Sequence, residues 1–157
     1  MHNAHLLDRK QEKFSILCLG AHGDDIEIGC GGTILRLLEE CPNLNVHWVV
    51  FSCTPNPQRE REARDSANAF LQNAKKKIVI MDFRDGFLPF VGDQVKEYFE
   101  QLKGEFAPDL IFTHYRDDLH QDHRLVSSLT WNTFRDNLIL EYEIPKYDGG
   151  LGSPNFF

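Results

Sequence analysis

Apolar residues fall into five short runs separated by longer amphipathic stretches. Residues 14–19 (FSILCL), 44–52 (LNVHWVVFS), 78–83, 109–113 and 138–144 each have strand length and are rich in aliphatic, β-branched or aromatic side chains. Helical patterns lie between them. The first begins at the Gly29-Cys30-Gly31-Gly32 run, where glycine lets the backbone turn sharply and pack closely, and ends near Glu40 at Cys41-Pro42-Asn43. Thr54-Pro55-Asn56-Pro57 breaks the chain after the second run. Residues 58–73 are highly charged and place Ala63, Ala67, Phe70 and Leu71 on one face. Residues 91–103 turn Val95, Phe99 and Leu102 inward, and a last helix is expected from about His120 to Asn137. Strand and helix alternate from end to end. This predicts an α/β fold: a doubly wound, mostly parallel sheet with helices on both faces, a Rossmann-like three-layer arrangement. Near-continuous apolar strands suit a sheet buried on both faces.

Bulk properties narrow the function. At 157 residues the chain is expected to form one α/β domain over residues 14–157, after a polar, loosely ordered segment at 1–13. The formal net charge of -7 lacks the basic stripe that nucleic acid requires, so no nucleic-acid partner is expected. Lys75-Lys76-Lys77 is the one basic run and reads as a solvated turn. No stretch approaches the roughly 18 apolar residues of a membrane span, and no apolar leader segment is visible. Cys18, Cys30, Cys41 and Cys53 form no C-x-x-C pair. Reduced thiols and a cytoplasmic location are the corresponding expectation.

Two polar clusters carry the chemistry. Ala-His-Gly-Asp-Asp-Ile-Glu-Ile-Gly-Cys-Gly-Gly-Thr, residues 21–33, follows the first strand and contains His22, Asp24 and Asp25. His120-Gln121-Asp122-His123 follows the fourth strand. Ligands of open α/β sheets bind at the carboxyl ends of strands, in the crevice where the strand order reverses, so these two loops can share one site. With His120 in a first helical turn, His120 and His123 fall on one face, and Asp118 is the expected N-cap. His22, Asp25 and His123 then form a two-His, one-carboxylate set with an open position, the pattern of catalytic zinc; ferrous iron shares that set. Zinc so held lowers the pKa of its water to about 7 and polarises a carbonyl. Asp24 is placed to take a proton from that water. His120 is placed to stabilise an oxyanion as a cation and to protonate a departing amine, and Asp122 to orient an imidazole. The glycine run lacks G-x-G-x-x-G spacing, which discounts dinucleotide binding. His47 lies in an apolar strand and reads as structural, His2 and His5 as loosely held, and Asp85 as a weak candidate.

The residue 21–33 motif, together with Asp-Leu-His-Gln-Asp-His-Arg at 118–124, resembles the PIG-L/LmbE-like family of zinc-dependent N-deacetylases. The resemblance covers about residues 14–150 and includes Arg59 and Glu62 on the second helix and Thr113-His114 at the end of strand four. It implies His22, Asp25 and His123 as zinc ligands, Asp24 as general base, and His120 as the oxyanion-stabilising acid. Arg59 reads either as a group for a substrate hydroxyl or phosphate or as one of several solvated charges, and His114 either as lining the substrate site or as packing at a strand end. The implied reaction releases acetate from an N-acetylglucosamine-type group, with a small amino-sugar substrate, no membrane partner, and an oligomer of identical chains as a form common in the family. The family usually has Pro where this chain has Gly23, so a floppier loop is expected there. Members also generally continue past this point, so the C-terminal wall of the substrate site is expected to be missing. Two other readings compete: a metal- or sugar-binding domain without turnover, and an amidase for a larger acyl group.

Overall fold

A computed structural model describes residues 13–53, 57–72 and 74–145. The expectations for residues 1–12, the break at 54–56 and the Gly- and Pro-rich tail from 146 lie outside the described residues. The elements in chain order are β1 (Phe14–His22), α1 (Asp25–Glu40), β2 (Leu44–Ser52), α2 (Pro57–Phe70), β3 (Lys75–Ile80), a 3-10 turn (Leu88–Val91), α3 (Gly92–Glu105), β4 (Leu110–His114), α4 (Gln121–Thr133) and β5 (Leu138–Tyr142). The five strands form one sheet in the order β3-β2-β1-β4-β5, and every ladder is parallel. The chain therefore winds outward from β1 to β3 and returns to place β4 on the other flank of β1. The strand order reverses between β1 and β4, which opens a crevice at their carboxyl ends.

Side chains alternate across a strand, and here both faces are apolar. Ile16 and Cys18 of β1 and Val46, Trp48 and Val50 of β2 point to the side covered by α1 and α2, where Ile26, Ile34, Ala67 and Leu71 meet them. Leu17 and Leu19 of β1, with Val49 and Phe51 of β2, point to the side covered by α3 and α4, against Val95, Phe99, Leu102 and Val126. Phe51 and Phe99 stack with ring centroids 5.3 Å apart. Burial of each such side chain contributes about 1.5–3 kcal/mol, and the two cores clamp β1 and β4 as a rigid floor under the crevice.

Three local expectations are corrected. The first helix starts at Asp25, so the glycine run lies inside it. Its glycines serve close packing: a Cβ on Gly29 would lie 2.1 Å from Tyr142 Cδ2, and one on Gly31 would lie 2.8 Å from Phe70 Cε1. Lys75-Lys76-Lys77 is not a turn but the start of β3, in register with Asn45, Val46 and His47. β3 is an edge strand, and lysines there discourage pairing with another chain. Finally, the N-cap of α4 is His120, whose side chain accepts from Asp122 N–H, and not Asp118.

Candidate active site

β1 runs four residues beyond its pairing with β4 and ends at His22, opposite Ser52 of β2. The turn that follows is tightly held. A Cβ on Gly23 would lie 3.0 Å from Cys53 Sγ and 3.2 Å from Ala63 Cβ, so β2 and α2 press on the loop expected to be floppy. Asp24 is the α1 N-cap residue, but its side chain makes no capping bond and it stands exposed. Asp25 opens α1 and is buried; its Oδ2 accepts from His22 N–H at 2.7 Å. From the other flank, β4 delivers His114, and the loop after it leads through Asp118 to His120, Asp122 and His123 at the start of α4.

Three ligating side chains converge between the two flanks, two through a ring nitrogen and Asp25 through both carboxylate oxygens. His22 Nδ1 lies 3.1 Å from His123 Nε2 and 3.4 Å from Asp25 Oδ2, and His123 Nε2 lies 3.6 Å from Asp25 Oδ1. Ligands about 2.0–2.1 Å from a tetrahedral zinc are about 3.3 Å from one another, so these separations fit a divalent cation. The outward nitrogens support the fit. His22 Nε2 faces Asp85 Oδ1 at 3.1 Å and Asp122 Oδ2 at 3.3 Å, and His123 Nδ1 faces Asp118 Oδ2 at 2.9 Å. A carboxylate behind each imidazole fixes the tautomer and raises the basicity of the inward nitrogen. Other triples also bring ligating atoms within 4.8 Å: His22-His120-His123, Asp25-His114-His123 and His22-Asp85-Asp122. In each of these one member also makes other hydrogen bonds, as Asp25 does in the set of His22, Asp25 and His123. His120 Nδ1 accepts Asp122 N–H, His114 Nε2 accepts Ala21 N–H, and Asp122 accepts from Gly86 and Leu88 N–H.

Charge is strongly coupled here. Burial works against protonation of His22, yet hydrogen bonds to Asp122 and Asp25 overcome it and raise its pKa to about 10. Burial likewise opposes ionisation of Asp25, but contacts with His114 and His22 hold it well below the usual carboxylate range. His123 is pushed down to about 4, chiefly by burial and then by the charge of His114. Asp122 is lowered, its burial outweighed by the bond to His22. His120 is lowered by burial and by His22. Its Nδ1 accepts from Asp122 N–H.

The structure thus brings His22, Asp25, His120, Asp122 and His123 into one cluster, with Asp24 at its exposed edge. His114 is fully buried behind Asp25 and does not line the surface of the crevice. Arg59 and Glu62 stand exposed on α2; the charge of Arg59 reaches Cys53 at the end of β2. Asp85 and Asp118 contribute more than the sequence suggested. Asp85 sits in a loop pinned to α4, where Asp122 accepts from Gly86 N–H at 2.7 Å and Leu88 N–H at 3.1 Å, and Gln121 Nε2 donates to Gly86 O at 3.0 Å. Gly86 has φ +78, a conformation that favours glycine. The signal in the sequence was an Asp-Gly pair just after a strand at the carboxyl edge.

Comparisons with known proteins identify the family and the fold. The profile of the PIG-L family, described as GlcNAc-PI de-N-acetylase, matches residues 17–134, more than half of the chain. A protein of Escherichia coli K12 described as the uncharacterized deacetylase YaiS is 28% identical over 149 residues, covering 89% of this chain and 79% of its own. The conserved protein TT1542 from Thermus thermophilus superposes with a TM-score of 0.66 at 22% identity, over 83% of this chain and 66% of its own. The N,N'-diacetylchitobiose deacetylase from Pyrococcus horikoshii superposes with a TM-score of 0.55 at 25% identity, over 82% of this chain and 55% of its own. The chain therefore spans less than two thirds of each of these two solved relatives.

Proposed function

The chain belongs to the PIG-L family of deacetylases, and we propose that it is a metal-dependent hydrolase that removes the N-acetyl group from an N-acetylglucosamine-type amino sugar, free or conjugated. The observation that carries this reading is the convergence of His22 Nδ1, Asp25 and His123 Nε2 within 3.1–3.6 Å, with a carboxylate behind each imidazole. The acetylated amino-sugar substrate of the Pyrococcus relative supports the substrate class. His22, Asp25 and His123 hold the cation, zinc by the nature of the donors, with ferrous iron the alternative. A cation held there supplies Lewis acidity toward an amide carbonyl and a water. Asp24, exposed and free of capping duty, takes the proton of the attacking water. His120, as an imidazolium, donates to the developing oxyanion and then gives its proton to the departing amine. Asp122 orients His22 and anchors the Asp85 loop. Arg59 is the group proposed to meet a substrate hydroxyl or phosphate.

Residues 14–157 act in this reading as one deacetylase domain on a small-molecule substrate, without nucleic-acid or membrane partners, in the cytoplasm where the four thiols stay free. Among the described residues no helix is long and apolar enough to cross a membrane. The test is metal content per chain by mass spectrometry, wild type against His123→Ala, followed by acetate release from acetylated amino sugars and an acyl-length panel. About one metal per wild-type chain, little in the variant, and acetate release support the proposal. Equal metal in both overturns the ligand set. Metal without acetate release returns the binding-domain reading, and preference for longer acyl groups returns the amidase.

A further inference from the structure

His114 is the last residue of β4, has no exposed surface, and touches Asp25, His123 and the turn that carries His22 from behind. Its Nε2 lies 2.9 Å from Ala21 N and 3.2 Å from Asp25 Oδ2. Its ring stacks on that of His123, with centroids 3.9 Å apart and planes within 9°. Tyr142, the last residue of β5, backs it in turn. The Tyr142 hydroxyl donates to Leu19 O at 2.7 Å and lies 3.4 Å from His114 Nε2, and the rings are 4.8 Å apart. One buried ring thus contacts the backbone before one histidine ligand, the carboxylate ligand, and the second histidine ligand.

We infer that His114 is the positioning residue of the metal site: it locks the turn at residues 21–25 and the His123 ring into their mutual geometry before any cation arrives. The inference rests on the proposal that His22, Asp25 and His123 hold the metal. β1 continues past its ladder with β4, so Ala21 N–H has no backbone partner on that flank, and the His114 ring takes the place of one. Nε2 without a proton accepts from Ala21 N–H; with a proton it donates to Asp25 Oδ2. Both partners belong to the same turn, so either state ties β4 to it. A buried polar side chain normally costs stability unless its partners compensate, and Nδ1 of His114 is buried with no hydrogen-bond partner among the described residues. The ring is therefore poorly explained by packing alone. Donors fixed in advance leave less to be ordered when the cation binds.

The test measures the zinc dissociation constant of chelator-stripped protein by competition with a chromophoric chelator, alongside the thermal midpoint of the metal-free form. His114→Phe keeps a ring against His123 but loses both Nε2 contacts; His114→Gln restores an amide that can accept from Ala21 and donate to Asp25. The expected result is zinc binding weakened about 10–100-fold by His114→Phe and recovered in large part by His114→Gln. A His114→Phe constant equal to wild type overturns the inference, and so does a lowered metal-free midpoint with an unchanged zinc constant, which marks a packing residue. If the Phe variant fails to fold, the Gln variant decides. A zinc constant close to that of wild type supports positioning through the Nε2 contacts, and one as weak as that of Asp25→Ala overturns it. His123→Ala runs as the control. If it binds zinc as tightly as wild type, the ligand set itself is wrong, a failure distinct from that of His114.

Discussion

Two buried histidines in this sheet have opposite fates. His114 ends β4 at the carboxyl edge and meets Ala21, Asp25, His123 and Tyr142. His47 lies within β2 nearer the amino edge, only 2% exposed, with neither ring nitrogen hydrogen-bonded among the described residues and its ring set edge-on against Phe106. The edges around them differ in the same way. At the amino edge polar groups mend the backbone and stop there: Ser15 N–H donates to Asp109 Oδ2, and Asn137 Nδ2 donates to Pro108 O. At the carboxyl edge polar side chains face one another across the β1–β4 crevice. Residue type and burial do not separate a working histidine from a packed one; place relative to the strand-order reversal does.

The largest effect should come from the exposed rim of the carboxyl edge. Asp24→Asn is expected to lower acetate release about 10²–10⁴-fold with zinc content unchanged, since Asp24 contributes no capping bond and no ligand contact. Full activity in this variant would remove Asp24 as the base. Next come the carboxylates behind the ligands. Asp118 Oδ1 accepts from His120 N–H at 2.7 Å while Oδ2 faces His123 Nδ1. Asp118→Asn retains the first acceptor but turns an NH2 toward Nδ1. The ring proton then moves to Nε2, the nitrogen aimed at the metal position. Zinc affinity should fall about 10–100-fold, read by chelator competition, while a substitution at His47 leaves it unchanged. Equal losses at both histidine sites would erase the distinction between the edges.

The sheet was legible because its central strands are buried on both faces and so read as apolar runs. The two clusters were legible because each puts several ligating side chains at a strand exit. What escaped depends on partners remote in sequence. The Gly29–Gly32 run looks like a turn, and the rings of Tyr142 and Phe70, remote in sequence, explain why Gly29 and Gly31 are glycine within a helix. Asp118 has the composition of an N-cap, yet its carboxylate serves His123. Asp85 approaches His22 through a loop fastened to α4, a contact that no local pattern encodes. His114 was visible as a strand-end histidine, but whether it faced substrate or the back of Asp25 depended on β1 outrunning its ladder. Lys75–Lys77 look solvated because an edge strand is half solvated.

A pair of glycines probes how far the carboxyl-edge network extends into α1. Gly29→Ala drives a Cβ into Tyr142, whose hydroxyl holds Leu19 O beside His114. Overpacking of this kind costs about 1–3 kcal/mol, measured as a lower urea midpoint, and displacement of Tyr142 should weaken zinc binding as well. Gly32→Ala meets nothing within 4 Å and should instead stabilise the helix by about 0.5–1 kcal/mol, with zinc binding untouched. A Gly29→Ala variant that loses stability but keeps wild-type zinc affinity would confine Tyr142 to packing.

A small effect is also expected at His47. Burial, followed by the charge of Lys77, lowers its pKa from 6.5 to about 4, so the folded protein keeps the ring neutral. Below pH 6.5 the unfolded chain takes up a proton that the folded chain refuses. The stability tied to the neutral ring is therefore complete above pH 6.5 and drains away as pH falls toward 4. Between about pH 7 and pH 5.5 this should amount to on the order of 1 kcal/mol in the metal-free protein. His47→Leu removes that slope and leaves the zinc constant alone, and comparing urea midpoints of the two proteins across this range cancels the groups they share. A wild-type slope in the variant would mean that the acid sensitivity resides at the carboxyl edge, and that burial at the amino edge holds no titrating charge.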